Sequence, residues 1–292
     1  MMRKVPIAKL ALAASAAAAL SVFGGAAHAG FGEKDVARTV SFGGHCARCE
    51  FSGRKLIGAS FIGANFEGAT LIGADLRGAA MLTSNFSRSD FTRADLRGAE
   101  MIGSIFESAQ FVRARMAGVE AVRAQFHKAD LTDASLNDSN LQLANFSMAT
   151  LERANLSDAE MTAANLTKAN AFRANFSDAN LSMASLAMGR FQRANFRSAN
   201  LDRAKFKGGA FAGADFARAS LRHADLRWTD LSGARHLTQA QINQACSDGT
   251  TRLPNGLKPK ACPARILTMR IPVAPPAPTP PVPPVPKFIA SH

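Results

Sequence analysis

From residue 51 to residue 235 the chain can be cut every five residues without one insertion or deletion. FIGAN, FEGAT, LIGAD and LRGAA follow one another from residue 61, and FARAS, LRHAD, LRWTD and LSGAR follow from residue 216 in the same frame. The first place of each block falls at 51, 56, 61 and onward to 231. Of these 37 places, 35 hold Leu, Phe or Met, and the exceptions are Ala121 and Ala171. The fourth place is Ala, Ser or Gly except at Arg54, Val119 and Thr229. A helix repeats its apolar residues at steps of three and four, and a strand at steps of two. Here the steps alternate three and two, which fits a chain that turns a corner every five residues with two side chains per block facing inward. Four corners close one coil, and stacked coils hydrogen-bond at the strand spacing of roughly 4.7–4.9 Å. The 37 blocks then build about nine coils, a column roughly 45 Å long.

Blocks such as ADLRG (Ala94–Gly98), ANLSD (Ala154–Asp158) and ANFSD (Ala174–Asp178) resemble the pentapeptide-repeat family, and TDLSG (Thr229–Gly233) departs only by Thr in the small place. The resemblance runs from Phe51 to Arg235 and draws its specificity from the shared register of all the blocks. It implies an all-β fold, a right-handed quadrilateral β-helix. It implies much less about activity, because one fold hosts many functions. The family's best-known activity belongs to acidic shafts that resemble DNA and shield a topoisomerase. This chain carries 35 basic against 22 acidic residues, and 23 against 18 within 51–235. It lacks the run of negative charge such a mimic needs, and the cytoplasmic address is not expected either, which argues against that role; a nucleic-acid partner is disfavoured.

Residues 1–29 read as a secretory signal. Arg3, Lys4 and Lys9 lead, residues 10–23 are mostly Ala and Leu, and Ala27-His28-Ala29 places small residues where a signal peptidase cuts. The apolar run is well short of the roughly 20 residues a membrane anchor needs. Gly30, not Cys, stands directly after the cleavage site, which argues against a lipoprotein; the mature chain is expected to start there, without a transmembrane span, in the periplasm or outside the cell.

Residues 30–50 form a poorly patterned lead-in with Cys46 and Cys49 in the large and small places of the frame. Those places flank a corner, where a β-turn brings first and fourth Cα within about 7 Å, close to disulfide range. An exported setting favours that bond. Glu50 stands where a haem-attachment motif needs His, and only His45 is near enough to assist a metal. Residues 236–265 are expected to cap the far end. Leu237–Cys246 reads as a short helix with Thr238 as N-cap and Ile242 and Ala245 on one face. A stacked column needs such a cover, and the outward Trp228 is expected to contribute to it. Four Cys allow three pairings; 46–49 with 246–262 is favoured because the shaft separates the pairs. The LTQAQ…AC…LPNGL…C arrangement also resembles the tail of exported proteobacterial family members. Residues 266–292 include PVAPPAPTPPVPPVP, an extended polyproline spacer or partner-binding tail.

Inside the shaft, Phe66, Phe86, Phe106, Phe126 and Phe146 recur at one corner, and Leu and Phe recur at another from Leu56 to Phe216. With the interior filled, no pocket of the roughly 300 Å³ a small ligand needs is expected. No nucleophile–base, His-rich or paired-carboxylate cluster recurs at a fixed corner, and His127 and His223 lie among polar outward residues. The sequence therefore predicts no enzyme, no cofactor, no metal and no small-molecule substrate. Function is expected on the outer faces, as a scaffold or protein-interaction module of the cell envelope. Two outward features recur coil after coil. Arg93, Arg113, Arg153, Arg173 and Arg193 form a ladder interrupted by Asp133, a candidate site for an anionic partner such as an envelope polymer, lipid headgroups or nucleic acid, with Asp95 and other acids expected to neutralise part of it. Ile62, Leu82, Ile102 and Val122, continued by Leu143 and Met183, form an apolar ridge, a candidate protein contact.

Overall fold

A computed structural model describes residues 44–262. The signal segment, residues 30–43 of the lead-in and the proline-rich tail lie outside the described residues. Every five-residue block makes the same two moves. Its first and fourth places point inward and are buried along almost the whole shaft, while the second and third form a turn. The turn closes when the fourth-place N–H donates to the first-place carbonyl, as Ala64 does to Phe61 at 3.1 Å. Every third place from Arg48 to Trp228 has a positive φ, between 54° and 72°. These are type II turns, whose third residue must sit in the left-handed region. Gly fills that place at little cost in the early coils, from Gly53 to Gly78. The many Arg, Asp and Met residues there each accept a conformation worth roughly 1–2 kcal/mol of strain. Val and Ile, which suffer most at positive φ, are absent from third places and stand mostly at outward second ones; Thr83 alone is β-branched at a third place.

The remaining backbone groups bind the coils above and below. First-place N–H groups donate to fifth-place carbonyls one coil on, as Phe51 does to Thr70 at 2.7 Å. Third-place N–H groups donate to second-place carbonyls one coil on, and fifth-place N–H groups donate back to fourth-place carbonyls one coil behind. Parallel bridges therefore run along all four sides, from His45–Asn65 to Asp215–Arg235. Only the second-place N–H lacks a backbone partner. Fifth-place Asn and Asp accept from it, two residues on: Ser87 to Asn85 at 3.0 Å, Thr92 to Asp90 at 2.8 Å, Thr167 to Asn165 at 3.0 Å. A backbone donor shielded from water needs a partner, and this is the physical reason for Asn and Asp before the large residue. The same amides also form ladders between coils, such as Asn155–Asn175–Asn195, with bonds of 2.9 and 2.8 Å.

The axis is solid. Phe66, Phe86, Phe106, Phe126 and Phe146 stack with successive centroids 4.9–5.7 Å apart and planes within 13°. A second stack runs Phe176–Phe196–Phe216 at 5.1 and 5.2 Å. Ala121 and Val119 are both fully buried. Serines in the small place keep their hydroxyls bonded inside: Ser89 donates to the Phe66 carbonyl at 2.8 Å and Ser139 to Met116 at 3.0 Å. That explains how a polar residue substitutes for Ala there at little cost.

Both ends depart from the sequence reading in detail. The ladder begins at His45, one block before residue 51, and Cys46 and Cys49 form a disulfide across the first turn with Cα atoms 5.6 Å apart. At the far end α1 spans Gln239–Gln244, with a capping box between Thr238 and Gln241. Ile242 is fully buried and Ala245 nearly so, while Leu237, Leu253 and Leu257 pack on the same core. Beyond α1 the chain adds two further bridges, Asp225–Cys246 and Asp230–Arg252, held by a Cys246–Cys262 disulfide. Cys246 arrives one place late for the coil repeat and Arg252 two, which hides this last partial coil from a five-residue frame. Trp228 does not cover the end as expected. It occupies a third place, points outward and is 62% exposed, and its backbone N–H donates to Thr250 Oγ1.

Because Phe106 is stacked on both faces, Phe106→Ala is expected to lower unfolding free energy by about 3–5 kcal/mol in denaturant titrations. Surface truncation at Ile102 should stay within about 0.5 kcal/mol. At the left-handed Leu143, Leu143→Val should lower stability by about 1 kcal/mol, whereas Leu143→Gly should match the parent or exceed it. The opposite order in melting temperature would refute the turn argument.

Candidate interaction surfaces

Each flat side of the shaft carries a fifth-place ladder along its centre. Third-place residues edge it on one side and second-place residues of the next block on the other. Each side takes the name of an early member of its central ladder: Asn65, Thr70, Asp75 or Ser60. Interior side chains of the shaft are sealed from solvent, so what the shaft itself presents lies on these sides and the corners between them. Among the described residues, no group of three or more His, Cys, Asp and Glu side chains is placed to hold a metal ion. No helix among them is long and apolar enough to cross a membrane. The two best-formed hollows are open grooves at the C-terminal end, about 610 and 380 Å³, which share Arg222 and His223.

The arginine ladder edges the Asp75 side. Each of its members sits at a left-handed third place, Arg93, Arg113, Arg153, Arg173 and Arg193 alike. Asp133 does more than interrupt it. Arg153 Nε lies 2.7 Å from Asp133 Oδ1, Arg113 Nε lies 3.9 Å from its Oδ2, and Arg153 also pairs with Glu152. The Arg173 guanidinium lies over the Phe172 ring, 5.1 Å from its centroid. Arg93 and Arg193 have no ion pair among the described residues. Asp95, expected to neutralise the ladder, pairs instead with Arg97 at 2.6 Å and Arg115 at 3.3 Å on the same side. The reason is chain geometry: a fifth-place Asp faces the second-place Arg two residues on. The same fork recurs at Asp75–Arg77 and Asp225–Arg227.

The apolar ridge follows one corner, between the Ser60 and Asn65 sides. Ile62 and Ile102 are exposed, Leu82 and Val122 half-buried, and the ridge passes to the third-place residues Leu143 and Met183, both 48% exposed. Along the opposite edge of the Ser60 side run Gly58, Gly78, Gly98 and Gly118, with open space where a side chain would stand. That edge therefore leaves the ridge as the projecting rim of its side. Ile105, the single apolar member of the Asn65 ladder, adds to the ridge across the corner at 41% exposure. Sequence reasoning missed Ile105 because it sits in the place Asn otherwise holds.

Two other local features carry no signal in the sequence. His127 is half-buried, with Nδ1 2.8 Å from Ser147 Oγ, rather than purely solvated. Next to the undersized Ala171, Asn170 Oδ1 and Gln192 Oε1 are buried without hydrogen-bond partners.

A four-sided column packed to its axis, with four long outer sides, belongs to the class of repeat solenoids. The chain is a member of the pentapeptide-repeat family, matched as "Pentapeptide repeats" in eight copies from residue 45 to residue 235. As in that family, the fold is a right-handed quadrilateral β-helix. No curated protein matches it. Among solved structures it is similar to HetL, a pentapeptide repeat protein involved in heterocyst differentiation regulation from the cyanobacterium Nostoc sp. strain PCC 7120. That likeness has 27% identity and a TM-score of 0.44, and covers 64% of this chain and 83% of that one. It is also similar to full-length QnrB1, a plasmid-mediated fluoroquinolone resistance protein, at 17% identity and a TM-score of 0.33, over 65% and 92% of the two chains. A pentapeptide repeat protein of the Arabidopsis thaliana thylakoid lumen matches at 27% identity and a TM-score of 0.22, over 34% and 66%.

The side forks carry a pH signature. Hydrogen bonds from Arg77, Arg97 and Arg227 hold the carboxyls of Asp75, Asp95 and Asp225 below their ordinary value of 3.8. Burial pushes Asp215 up, but the Ala217 N–H, His236 and Arg197 outweigh it and leave this carboxyl lowered too. A depressed carboxylate contributes stability above its unfolded value and loses it as pH falls through the folded one. Stability should therefore be flat above about pH 5 and decline below about pH 4. Asp75→Asn with Asp95→Asn should flatten that acid decline in urea titrations. A decline as steep as in the parent would show that the forks carry none of it.

Proposed function

We propose that the protein is an exported, non-catalytic element of the cell envelope that holds or spaces a protein partner along its apolar ridge. The observation that carries this reading is the solid interior combined with an unbroken frame. Where catalytic columns would place loops beside the shaft, this one has only two-residue turns, so its outward side chains are what the shaft offers a partner. Among these, Ile62, Leu82, Ile102 and Val122 offer a contiguous apolar line, and contiguous exposed apolar surface marks contacts. Export is supported by the signal-like segment at residues 1–29 and by the pairing of all four cysteines, a usage typical of oxidising compartments.

A second reading, binding of an anionic envelope polymer by the arginine ladder, is favoured by Arg93 and Arg193, which stand without ion-pair partners among the described residues. A DNA-mimicking role is disfavoured by charge, since the shaft presents no acidic run.

Fractionation of cells is expected to place the protein outside the cytoplasm; a cytoplasmic pool would overturn the envelope reading. In pull-downs from the envelope fraction, a ridge partner should survive roughly 0.5 M salt, where the Debye length is only a few ångströms. Leu82→Asp with Ile102→Asp should abolish that capture, and capture unchanged by the double variant would dismiss the ridge. Loss of the partner in salt, restored on dilution, would favour the ladder instead.

A further inference from the structure

Charge along the described residues is strongly segregated. Residues 44–185 carry 14 Lys and Arg against 15 Asp and Glu, whereas residues 186–262 carry 13 against 5. The net charge of the described chain therefore lies in its last third. It is densest on the Asn65 side, which holds four of those 13 cations against one acid. Arg203, Lys205 and Lys207 cross that side on a single rung, all exposed and without ion pairs among the described residues. On the next rung stand His223, Asp225 and Arg227, where Asp225, the one acid on this side after Glu107, is forked by Arg227. Arg222, also exposed, lies at the adjoining corner and lines both C-terminal grooves, the larger of which Lys260 also lines. Lys260 donates to the Asn243 carbonyl at 2.9 Å.

Apolar side chains stand around these cations. Met183 and Met188 occupy the two corners of the preceding rung, 48% and 53% exposed, with the small Ala187 between them. Trp228 projects from the corner of the following rung. Backbone hydrogen bonds fix these rungs about 4.8 Å apart, so the cations of the Asn65 side are held rigidly between Met183 on its own edge and Met188 and Trp228, which project from the far corner where the Thr70 side begins.

We propose that this C-terminal end of the Asn65 side docks on an anionic lipid bilayer, with Arg203, Lys205 and Lys207 facing lipid phosphates and Met183, Met188 and Trp228 entering the headgroup layer. A soluble polyanion would satisfy the cations and leave the methionines and tryptophan in water, whereas a bilayer interface takes both kinds of group. Trp is the aromatic residue best suited to that boundary, with an apolar ring and one donor. The groove beside these cations is open and is lined by Asp202 as well as Arg203, so a polyanion strand lying in it would meet an acid. The chain's own tail is a poor occupant, because residues 263–292 add Arg265, Arg270 and Lys287 and no acid. The same surface on a second copy would repel it. This proposal uses different cations from the arginine ladder and stands apart from the first four residues of the ridge, so each reading is tested alone.

The test is co-sedimentation of the protein, purified as the cell processes it, with vesicles of phosphatidylglycerol mixed into phosphatidylcholine and with pure phosphatidylcholine. Binding is expected on the anionic vesicles and not on the neutral ones, and should weaken in roughly 0.5 M salt. Lys205→Gln with Lys207→Gln should weaken it roughly 30-fold at low salt. Arg203→Gln alone should act in the same direction, and Trp228→Ala should weaken binding at every salt concentration. Arg93→Gln with Arg193→Gln, on the Asp75 side, should change nothing. All these side chains point outward, so thermal melting of each variant should match the parent and separates lost binding from lost fold. Equal binding to both vesicles, full binding by the lysine pair variant, or capture of soluble polyphosphate without capture of vesicles would each overturn the proposal.

Discussion

No coil of this column can hold itself together. Within a block the backbone makes one hydrogen bond, the turn from fourth place to first, and every other ladder bond goes to the coil before or after. A single coil released from its neighbours would leave three N–H groups per block unpaired, at a cost no burial of one Leu and one Ala could offset. Stability therefore accumulates along the axis, as in other solenoids, and two features follow. The frame carries no insertion inside the shaft, where an extra residue kept in the wall would move the side chains after it out of register. Both ends, where the ladder stops, carry a disulfide.

The inward half of this architecture was legible because it is written in two columns of residues with narrow size limits. A large place must fill half the axis and a small place must let the backbone pass, so Leu, Phe and Met alternate with Ala, Ser and Gly. The turn geometry was less legible. Positive φ at the third place should select Gly, yet Arg93, Asp138, Met148 and Trp228 all adopt it. The ladder over-determines the corner, and the strain of each turn is offset by what its block buries. What betrays the constraint in sequence is an exclusion: Val and Ile avoid third places and favour second ones, as at Ile62, Val112 and Val122. The last partial coil was invisible for a different reason. The α1 segment inserts one residue before Cys246 and the following loop one more before Arg252, so the period fails although the ladder continues.

Outward pairing depends on where neighbouring side chains converge, and a period alone misassigns it. Asp95 shares the Asp75 side with Arg93, yet the fork two residues on claims it for Arg97. Asp133 reads in sequence as a gap among arginines and instead ties Arg113 to Arg153 across three coils. The ladder is consequently neutralised in its middle and bare toward its two ends.

A total of charges over the whole chain hides the opposite case. The rigid column converts position in sequence into position along an axis, since each residue lies beside its counterpart one coil on, as Asn65 does beside Asn85. The near balance of residues 44–185 and the excess over 186–262 are thus two separate surfaces and not one diluted field. With a Debye length of roughly 8 Å at physiological salt, a partner at the middle of the shaft does not feel the cations at its C-terminal end. One chain can therefore present an apolar corner to one partner and a basic end to another, with the stiffness of the column setting the distance between them.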